Sequence, residues 1–403
     1  MKVVDFSRVL AGPLCARTLL DLGAEVIKVE PPRPDVTRFA HPSSGTMSGY
    51  YAQQNAGKRN VSLDLNVPAA RELALRLCDQ ADIVVENFRA GALASFGLDY
   101  ATVSARNPRV IYASITGYGQ GGPWRARMAY APTVQAEAGF TANSLRHYGE
   151  ALREAKTDSL SHADVYSGLQ ATIAILAALQ HRERTGEGQF IDVAMAATLM
   201  AVNERAHVDL SEVDLGAEPA VLGATDCPFF LGPQGETLTV ATSLVGSLTF
   251  RSYLAAMRRP DLAGDPRFAT AEARRQNLVE LHEIVQTWIL SFPDLPTLDA
   301  QFDEAKIAMG RVRSLKEIAE SDWASHWGAV QEVSDRAGGS YRLPGRPWRF
   351  SSHELEPLGE PALQGEHNGE VFAELGLSAA EIETYHHQGA LVVPPPPRSP
   401  GPR

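Results

Sequence analysis

The chain has 403 residues, of which 44% are hydrophobic and 21% are charged, and its formal net charge is −11. This length allows two or three folding units with a sizeable core. The negative charge argues against nucleic acid as the main partner, although a small anionic ligand needs only a local group of cations. The three cysteines, Cys15, Cys78 and Cys227, lie far apart, so we expect a reducing compartment and neither a disulfide framework nor a zinc site.

The N-terminus and the apolar segments indicate where the protein works. The opening "MKVVDFSRVL" lacks the charged region and long apolar run of a secretory leader. The most apolar segment, residues 169–179, is too short to span a bilayer and contains Gln170 and Thr172. We therefore expect a cytoplasmic protein that does not bind membranes.

The first part of the chain alternates between strand and helix patterns. "VVDFS" predicts a strand, "RVLAGP" a turn, and "LCARTLLDLG" a helix, with Pro13 at the first helical position and Gly23 just after the helix end. The nearly continuous apolar run in "AEVIKVEPP" predicts a strand buried on both faces. A helix in "PAARELALRLCDQA" and strands in "DIVVENF" and "RVIYASITGYG" repeat the pattern. Such alternation predicts an α/β domain with right-handed crossovers.

Asp164 lies in "SHADVYSG", just before the apolar run "LQATIAILAALQ". An aspartate at this place is typical of a helix N-cap, and a nucleophilic carboxylate is the rarer alternative. The helix is apolar nearly all round at its centre, which predicts that it is buried, and Gly186 and Gly188 are expected to end it. The pattern alone leaves both interpretations of Asp164 open.

The composition changes near Asp214. The strand-like segment "ETLTVAT" and a polar helical region follow, which predicts a smaller second domain over residues 214–321. A polar helix is expected in "SAAEIETYHHQGAL", with His386 and His387 on its surface. The tail, residues 391–403, contains "PPPPRSPGPR" and is predicted to be disordered.

Several further patterns have two interpretations. Glu30 follows Gly12 at nearly the spacing of a ribose-binding acid, but "LAGP" lacks the GxGxxG pattern, which favours an ordinary α/β start over a nicotinamide site. The segment "GYGQGGP" suits either close approach of a ligand or a surface turn. HExxH, EF-hand, P-loop and GxSxG patterns are absent, so neither a metal site nor a hydrolase is expected. Cations near the early strand ends suit either phosphate binding or scattered surface charge: Lys28, Arg33, Arg38, Lys58, Arg59 and Arg89.

Eight segments in a characteristic order and spacing carry a resemblance to a known family. They are "VVDFSRVLAGP", "LGAEVIKVEPP", "NAGKRNVSLDL", "ADIVVENFRAGAL", "NPRVIYASITGYGQGGP", "RERTGEGQFIDVAM", "DPRFAT" and "GEHNGEV". Together they resemble the class III CoA-transferase family, of the CaiB/BaiF type, which also contains 2-methylacyl-CoA racemases. The resemblance runs from about residue 2 to residue 385.

This resemblance implies a fold and an assembly. It implies a homodimer of interlocked rings in which a large Rossmann-like domain is built from both ends of the chain. Residues 1–213 and 322–390 would form that domain, with the smaller α+β domain between them. Coenzyme A, as an acyl-CoA substrate and not a permanently bound cofactor, would lie along the large domain. The second substrate would be a carboxylic acid.

The resemblance also implies site residues. Asp164 in "ADVYSG" takes the place of the catalytic aspartate, so a residue that caps a helix can also attack a substrate. Leu10 and Ala11 correspond to the edge of the active site, and Tyr130 to the position where the racemases have a histidine. The residues that correspond to CoA contacts are Leu63, Asp64, Leu65, Asn66, Asn87, Phe88 and Arg89.

Three departures bear on the substrate. Formyl-CoA transferases have a glutamine at the Leu10 position, an arginine at the Ser95 position and a run of glycines near "LGATDCP". All three are absent here, which makes oxalate and formate doubtful substrates and leaves the CoA chemistry intact.

Three functions remain open at this stage. The first is a CoA-transferase that works through an aspartyl anhydride and an enzyme–CoA thioester. The second is a 2-methylacyl-CoA racemase, which needs two proton-exchanging groups, and tyrosine at position 130 is a poor base near neutral pH. The third is an inactive acyl-CoA-binding protein.

Overall fold

The computed structural model describes residues 1–41, 43–44, 46–142, 144, 160–204, 206–211 and 229–392. The chain forms two compact units, one of residues 1–206 and 325–403 and the other of residues 207–324. Residues 393–403 of the predicted disordered tail, and Cys227, lie outside the described residues. The predicted division at residues 214 and 321 into folding domains stays a prediction.

A six-stranded sheet is the centre of the first unit. All neighbouring strands are parallel, as the alternation of strand and helix patterns predicted. The strands follow the order β5-β2-β1-β6-β7-β8. Their bounds are β1 Lys2–Asp5, β2 Glu25–Glu30, β5 Arg59–Ser62, β6 Ile83–Glu86, β7 Ile111–Thr116 and β8 Gln189–Ala194, and a short pair, β3 Ser43–Ser44 and β4 Met47–Ser48, precedes β5.

Helices cover both faces of the sheet because alternate strand residues point to opposite sides. Val4 belongs to a core shared with Phe372 near the C-terminus, whereas Val3 belongs to a second core on the other face. The helices of this unit are α1 Ala11–Asp21, α2 Gly49–Asn55, α3 Pro68–Asp79, α4 Tyr100–Arg106, α5 Ala131–Glu137, α6 His162–Thr185, α7 Met195–Ala201, α15 Asn368–Glu374 and α16 Ala379–His387.

The order of the strands creates a switch point. Connections from β1 lead to β2 and β5 on one side, whereas β6, β7 and β8 continue on the other. In open parallel sheets, ligands bind beside the carboxyl ends of the two strands where the order reverses. The ends of β1 and β6, at Asp5 and Glu86, are therefore where a site is expected.

The start of α1 differs from the prediction. The helix begins at Ala11, so Pro13 is its third residue and not its first. This place is still compatible with proline, because the first four N–H groups of a helix have no partner within it. Gly23 follows the helix with a φ of +92°, as predicted for the residue after a C-cap.

The centre of α6 is not buried all round, so that prediction is wrong for the single chain. Ala171, Ile175 and Ala178 are buried against the sheet, but Leu169, Ile173 and Leu176 on another face are 40%, 58% and 44% exposed. The apolar composition of a helix does not show which of its faces packs against the same chain and which remains exposed. This exposed set is called the α6 stripe below.

The second unit has its own core. An antiparallel sheet of β11 Met309–Arg311, β10 Thr237–Val240 and β9 Phe229–Leu231 packs with helices around a core that includes Phe250 and Phe302. At the sheet edge, the Gln286 side chain donates to the C=O of Leu231 and accepts from its N–H, both at 2.8 Å. The helices in and around this unit are α8 Ala206–Ser211, α9 Ser247–Met257, α10 Ala271–Gln276, α11 Leu278–Ile289, α12 Leu295–Glu304, α13 Leu315–Ala319 and α14 Asp322–Trp327. The antiparallel pair β12 Val330–Ser334 and β13 Ser340–Pro344 belongs to the first unit.

Candidate active site

The turn between β1 and α1 lies at the switch point, and buried side chains hold its first residue. The N–H of Ser7 donates to Oδ1 of Asp5 at 2.9 Å, and the C=O of Ser7 accepts from Nζ of Lys28 at 2.8 Å. Asp5 is itself paired with Nζ of Lys58 at 2.9 Å. These carboxylate and ammonium groups are fully buried, so they form a fixed support beneath the turn.

The next two residues of the turn are held in the same manner. The N–H of Arg8 donates to Oδ1 of Asn87 at 2.7 Å, and its C=O accepts from Nδ2 of Asn87 at 2.8 Å. The N–H of Val9 donates to Oδ2 of Asp35 at 2.9 Å. Val9 has a φ of +65°, a left-handed conformation that is rare for a β-branched residue and that marks a turn held by its surroundings.

Asp164 is the third residue of α6, not its N-cap. The helix begins at His162 and its N-cap is Ser161, which makes no side-chain capping bond. The carboxyl therefore lies in the first turn, where the unpaired N–H groups and the helix dipole favour a negative charge. Burial raises the pKa of Asp164 to about 6, while the N–H of Ala11 and its own N–H act in the opposite direction.

Two glycines let α1 approach these groups closely. A Cβ on Gly168, one turn after Asp164, would lie 2.6 Å from the C=O of Ala11. A Cβ on Gly12 would lie 2.2 Å from the Cβ of Ser7. The first turn of α1 thus packs directly on the first turns of α6, which places Ala11, preceded by Leu10 at the N-cap of α1, beside Asp164.

Tyr50, in the first turn of α2, is a site candidate that the sequence did not reveal. Burial, together with the ionised Asp164 and Asp35 carboxylates, raises the pKa of Tyr50 to about 12. Its phenol therefore stays protonated at neutral pH and can donate a hydrogen bond near Asp164. The only signal in the sequence is an aromatic residue in a short helix, which is no different from an ordinary core position.

Tyr130 is the N-cap residue of α5 and is 65% exposed, so it is not a packed aromatic in the single chain. Its helix lies against the start of α6, where the N–H of Ala163 donates to Oε1 of Gln135 at 3.4 Å. A Cβ on Gly117 would lie 2.2 Å from the Cβ of Ala129, so the first glycine of "GYGQGGP" permits the approach of the segment that carries Tyr130. Gly117 thus serves the packing of the protein here, whereas Gly121 and Gly122 have open space around their Cβ positions.

The candidate CoA contacts fall into two groups at the carboxyl edge of the sheet. Asn87, Phe88 and Arg89 follow β6, next to the turn at the switch point. The Asn87 amide is committed to Arg8, Phe88 is half-buried against the core, and Arg89 is exposed. The group after β6 is therefore beside Ala11, and Arg89 is its available cation.

The second group follows β5, which is separated from β6 by β2 and β1. Leu63 is fully buried and has no side chain available to a ligand. Asp64 accepts from the N–H and the side chain of Asn66 at 3.0 and 2.9 Å, in a turn that ends with Leu65 and Asn66 beside α3. The structure does not bring these residues next to Asp164, and their place suits the far end of an extended ligand.

Most of the predicted cation set is neither surface charge nor a phosphate site. Lys28, Lys58 and Arg38 are buried and paired with carboxylates. Arg38 binds Glu30, which is why Glu30 is not free to bind a ribose. Arg59 pairs with glutamates, whereas Arg33 and Arg89 are exposed: the partners of Arg59 are Glu25, Glu370 and Glu374.

Among the described residues, no group of three or more His, Cys, Asp or Glu side chains is placed to hold a metal ion. Cys15 and Cys78 are free and buried. No helix in the described ranges is long and apolar enough to cross a bilayer.

Comparison with known proteins identifies the family. The family model of CoA-transferase family III matches residues 1–368. The chain is 33% identical to a succinate–glutarate CoA-transferase of Agrobacterium fabrum, over 93% of this chain and 94% of the relative. It is 30% identical to a succinyl-CoA:mesaconate CoA-transferase of Haloarcula hispanica, over 94% and 96% of the two chains.

A solved structure agrees with the sequence comparisons. The crystal structure of a CAIB/BAIF family protein from Brucella suis superimposes with a TM-score of 0.77 at 30% identity, and covers 93% of this chain and 98% of that one. The parallel sheet, the matched family model and these relatives lead to one conclusion. The chain belongs to CoA-transferase family III and is a class III CoA-transferase.

Proposed function

We propose that the protein transfers CoA from an acyl-CoA to a carboxylic acid through covalent intermediates on Asp164. A carboxylate oxygen of Asp164 attacks the thioester carbonyl carbon, the C–S bond breaks, and a mixed anhydride and CoA thiolate form. The thiolate then attacks the aspartyl carbonyl carbon, which releases the donor acid as a carboxylate and leaves a CoA thioester on the enzyme.

The acceptor repeats these steps in reverse. Its carboxylate attacks the aspartyl thioester and displaces CoA thiolate, which gives a second anhydride. The thiolate attacks the acceptor-derived carbonyl carbon, so the new acyl-CoA leaves and the Asp164 carboxylate is restored. Each step exchanges one acyl bond for another, which is why the scheme needs no external energy source.

The observation that carries this proposal is the setting of Asp164. Its pKa of about 6 means that the carboxylate is mostly ionised at neutral pH yet is less stabilised by water than an exposed one. The N–H groups of the first turn of α6 and of Ala11 also suit an oxygen that develops negative charge when the anhydride or thioester is attacked. The phenol of Tyr50, which is near enough to Asp164 to interact with its charge, would donate a further hydrogen bond to these intermediates.

The binding of CoA is proposed along the carboxyl edge of the sheet in the large domain. Phe88 and Arg89 would contact CoA close to the switch point, with Leu10 and Ala11 beside the thioester. The Asp64–Asn66 turn would lie near the adenine end, and Leu63 would support that turn from within the core. Asn87 would act mainly by holding Arg8.

The names of the relatives indicate the class of acid. One is named for succinate and glutarate and the other for succinyl-CoA and mesaconate, which are dicarboxylic acids or, for succinyl-CoA, the CoA thioester of one. We propose dicarboxylic acids longer than oxalate, such as succinate or glutarate, as donor and acceptor. This agrees with the absence of the glutamine that formyl-CoA transferases have at the Leu10 position.

A homodimer is proposed as the working assembly. The α6 stripe exposes three large aliphatic side chains on the helix that carries Asp164. An apolar helix face of this kind is typical of an interface between subunits.

The test combines product analysis with trapping. With succinyl-CoA and a panel of acids, mass spectrometry should show a new acyl-CoA, and hydroxylamine should convert Asp164 to a hydroxamate during turnover. Asp164→Ala should abolish both. Asp21→Ala is the control, because Asp21 pairs with Arg17 and Arg346 at the opposite end of α1. Transfer by Asp164→Ala at the wild-type rate contradicts the proposal.

A further inference from the structure

The Ser7–Val9 turn is held from outside by side chains and not by the sheet or by a helix. Its N–H and C=O groups bind Asp5, Lys28, Asn87 and Asp35, as described above. These four side chains are called the turn clamp. They come from β1, β2, the segment after β6, and the segment after β2, so four separate parts of the chain converge on three residues.

Asp35 has a particular place in the turn clamp. Its Oδ1 accepts from the N–H and the hydroxyl of Thr37 at 3.0 and 2.8 Å. Its Oδ2 accepts from the N–H of Val9 at 2.9 Å and lies 3.6 Å from Nζ of Lys28. The side chains of Asp35 and Lys28 are fully buried, so neither charge is weakened by water.

Val9 is the residue that needs such a clamp. A valine in the left-handed region is strained, and its 39% exposed side chain gains little from burial in return. Without the bond to Asp35, the turn would relax toward a negative φ at Val9. The backbone two residues later, at Ala11, would then change direction, because α1 begins there.

A change in the backbone direction at Ala11 would alter the surroundings of the Asp164 carboxylate. The N–H of Ala11 interacts with the Asp164 carboxylate, and the close contact at Gly168 shows how little space separates the two helices. We infer that Asp35 and Lys28 are positioning residues, which keep Val9 in its strained conformation so that the Ala11 N–H stays directed at the Asp164 carboxylate. This inference rests on the proposed function only in taking Asp164 as the nucleophile.

Other charged and titratable groups lie near the connection from Asp35 through Val9 and Ala11 to Asp164. Tyr50 of α2 lies within range of the charges of both Asp164 and Asp35, which act on its phenol in addition to burial. Beneath the turn, Lys58 and Asp5 form the second buried pair. A change at Asp35 that acts through the Ala11 N–H therefore has to be separated from a general loss of buried charge, and the control below does this.

The test is a direct titration of Asp164 in Asp35→Asn. The substituted amide keeps its oxygen for the two donors of Thr37 and so presents its NH₂ to the Val9 N–H and to Lys28, which removes the clamp without a change in volume. We expect the pKa of Asp164 to rise from about 6 by about one unit, because the ionised form loses a charge-assisted hydrogen bond. The carboxyl carbon is followed by NMR with labelled aspartate and assigned by its loss in Asp164→Asn.

A second substitution makes the test specific. Glycine adopts a positive φ without strain, so Val9→Gly in the Asp35→Asn background should return the pKa of Asp164 most of the way to the wild-type value. Asp21→Asn, which removes a partly buried carboxylate from the far end of α1, should lower stability and leave the pKa of Asp164 unchanged. The acidic limb of the kcat profile should shift with the pKa in each variant.

Several outcomes would overturn the inference. They are an unshifted Asp164 pKa in folded Asp35→Asn, no recovery with Val9→Gly, or an equal shift in Asp21→Asn. If Asp35→Asn does not fold, Asn87→Ala removes the two bonds to Arg8 without disturbing a buried charge, and an unshifted kcat profile there counts against the inference. Because the NMR titration needs no substrate, a failure of the proposed function leaves this test in force.

Discussion

Asp164 combines two requirements that conflict. Burial raises its pKa, which makes the carboxylate a better nucleophile, while the N–H groups of the first helical turn keep it ionised. The sequence indicated the residue through "ADVYSG" and suggested that it lies at the N-cap, whereas it lies three positions after the actual N-cap, Ser161. Ser161 takes that place because the helix extends back to His162.

The raised pKa has a consequence for stability. In the unfolded chain the carboxyl has a pKa near its ordinary value of 3.8, so between about pH 4 and pH 6 the folded protein binds more protons. Stability contributed by this group is present below that range and is lost as pH rises through it. We therefore expect Asp164→Asn to unfold at a higher temperature than the wild type at pH 7, with a gain of roughly 1–3 kcal/mol.

The measurement is thermal unfolding of both proteins at pH 4 and pH 7. The difference should shrink at the lower pH, where the wild-type carboxyl is also protonated. A variant that is less stable at both pH values would contradict this prediction and show that the Asp164 carboxyl stabilises the fold. Transfer activity of the wild type should fall as pH drops through about 6, because the nucleophile becomes protonated.

Tyr130 separates transfer from racemisation. Racemisation requires a second group that exchanges protons with the carbon next to the thioester, and a phenol is a poor base near neutral pH. We expect no exchange of the α-proton when the protein is incubated with a 2-methylacyl-CoA in D₂O, followed by mass spectrometry. Deuterium incorporation as fast as CoA transfer would favour the racemase and point to a base that has not been identified.

The contacts of Tyr50 and Asn87 could not be predicted from the sequence. Resemblance gave Asn87 a place in the CoA groove, but its amide binds the backbone of Arg8, 79 residues earlier in the chain. Tyr50 lies 114 positions before Asp164 in a segment with no distinctive pattern. Contacts at such separations depend on the whole fold, and a local pattern contains no information about them.

At the scale of elements, the parallel sheet and most of its helices were predictable because their signals are local. Hydrophobic runs, Gly23 after α1 and the breaking glycines after α6 act within a few residues. The cations were misjudged for the opposite reason. Arg38, for example, donates to the C=O of Ala362, 324 residues away, and to Glu30, so pairing buries a charge that the sequence suggested was exposed.

The contact between α1 and α6 should be sensitive to one methyl group. Gly168→Ala places a Cβ 2.6 Å from the C=O of Ala11, so the helices must separate. We expect a loss of about 1–3 kcal/mol in unfolding free energy and a larger proportional loss of transfer activity, since Ala11 moves away from Asp164. Denaturant unfolding and steady-state kinetics measure the two effects.

Gly369→Ala is the matched control. Gly369 lies in the helix α15 with open space around its Cβ position, so alanine should stabilise the protein by about 0.5–1 kcal/mol and leave activity unchanged. Equal effects of the two substitutions would show that the predicted clash at Gly168 is relieved without cost.

At the scale of the whole molecule, the α6 stripe predicts association between two copies of the chain. Ile173→Glu would place a charge at the centre of the apolar interface between two copies. Burying a carboxylate that has no oppositely charged group beside it weakens association by several kcal/mol. We expect light scattering to show a dimer for the wild type and a monomer or aggregate for the variant. Thr384→Glu, at an exposed position of α16, should remain dimeric. A wild-type protein that is a folded monomer at all concentrations would refute the proposal.

The Gln286 side chain protects the edge of the small sheet from pairing with other molecules. The edge strand β9 exposes Phe229 and Leu231, and an apolar edge with free backbone groups is a template on which strands of other molecules add. By binding both the N–H and the C=O of Leu231, the amide of Gln286 acts as a strand one residue long, and His282 occupies the C=O of Phe229 in the same way. Side chains of the helix α11 thereby occupy the N–H and C=O of Leu231 and the C=O of Phe229, so these groups are not available to pair with a strand of another molecule.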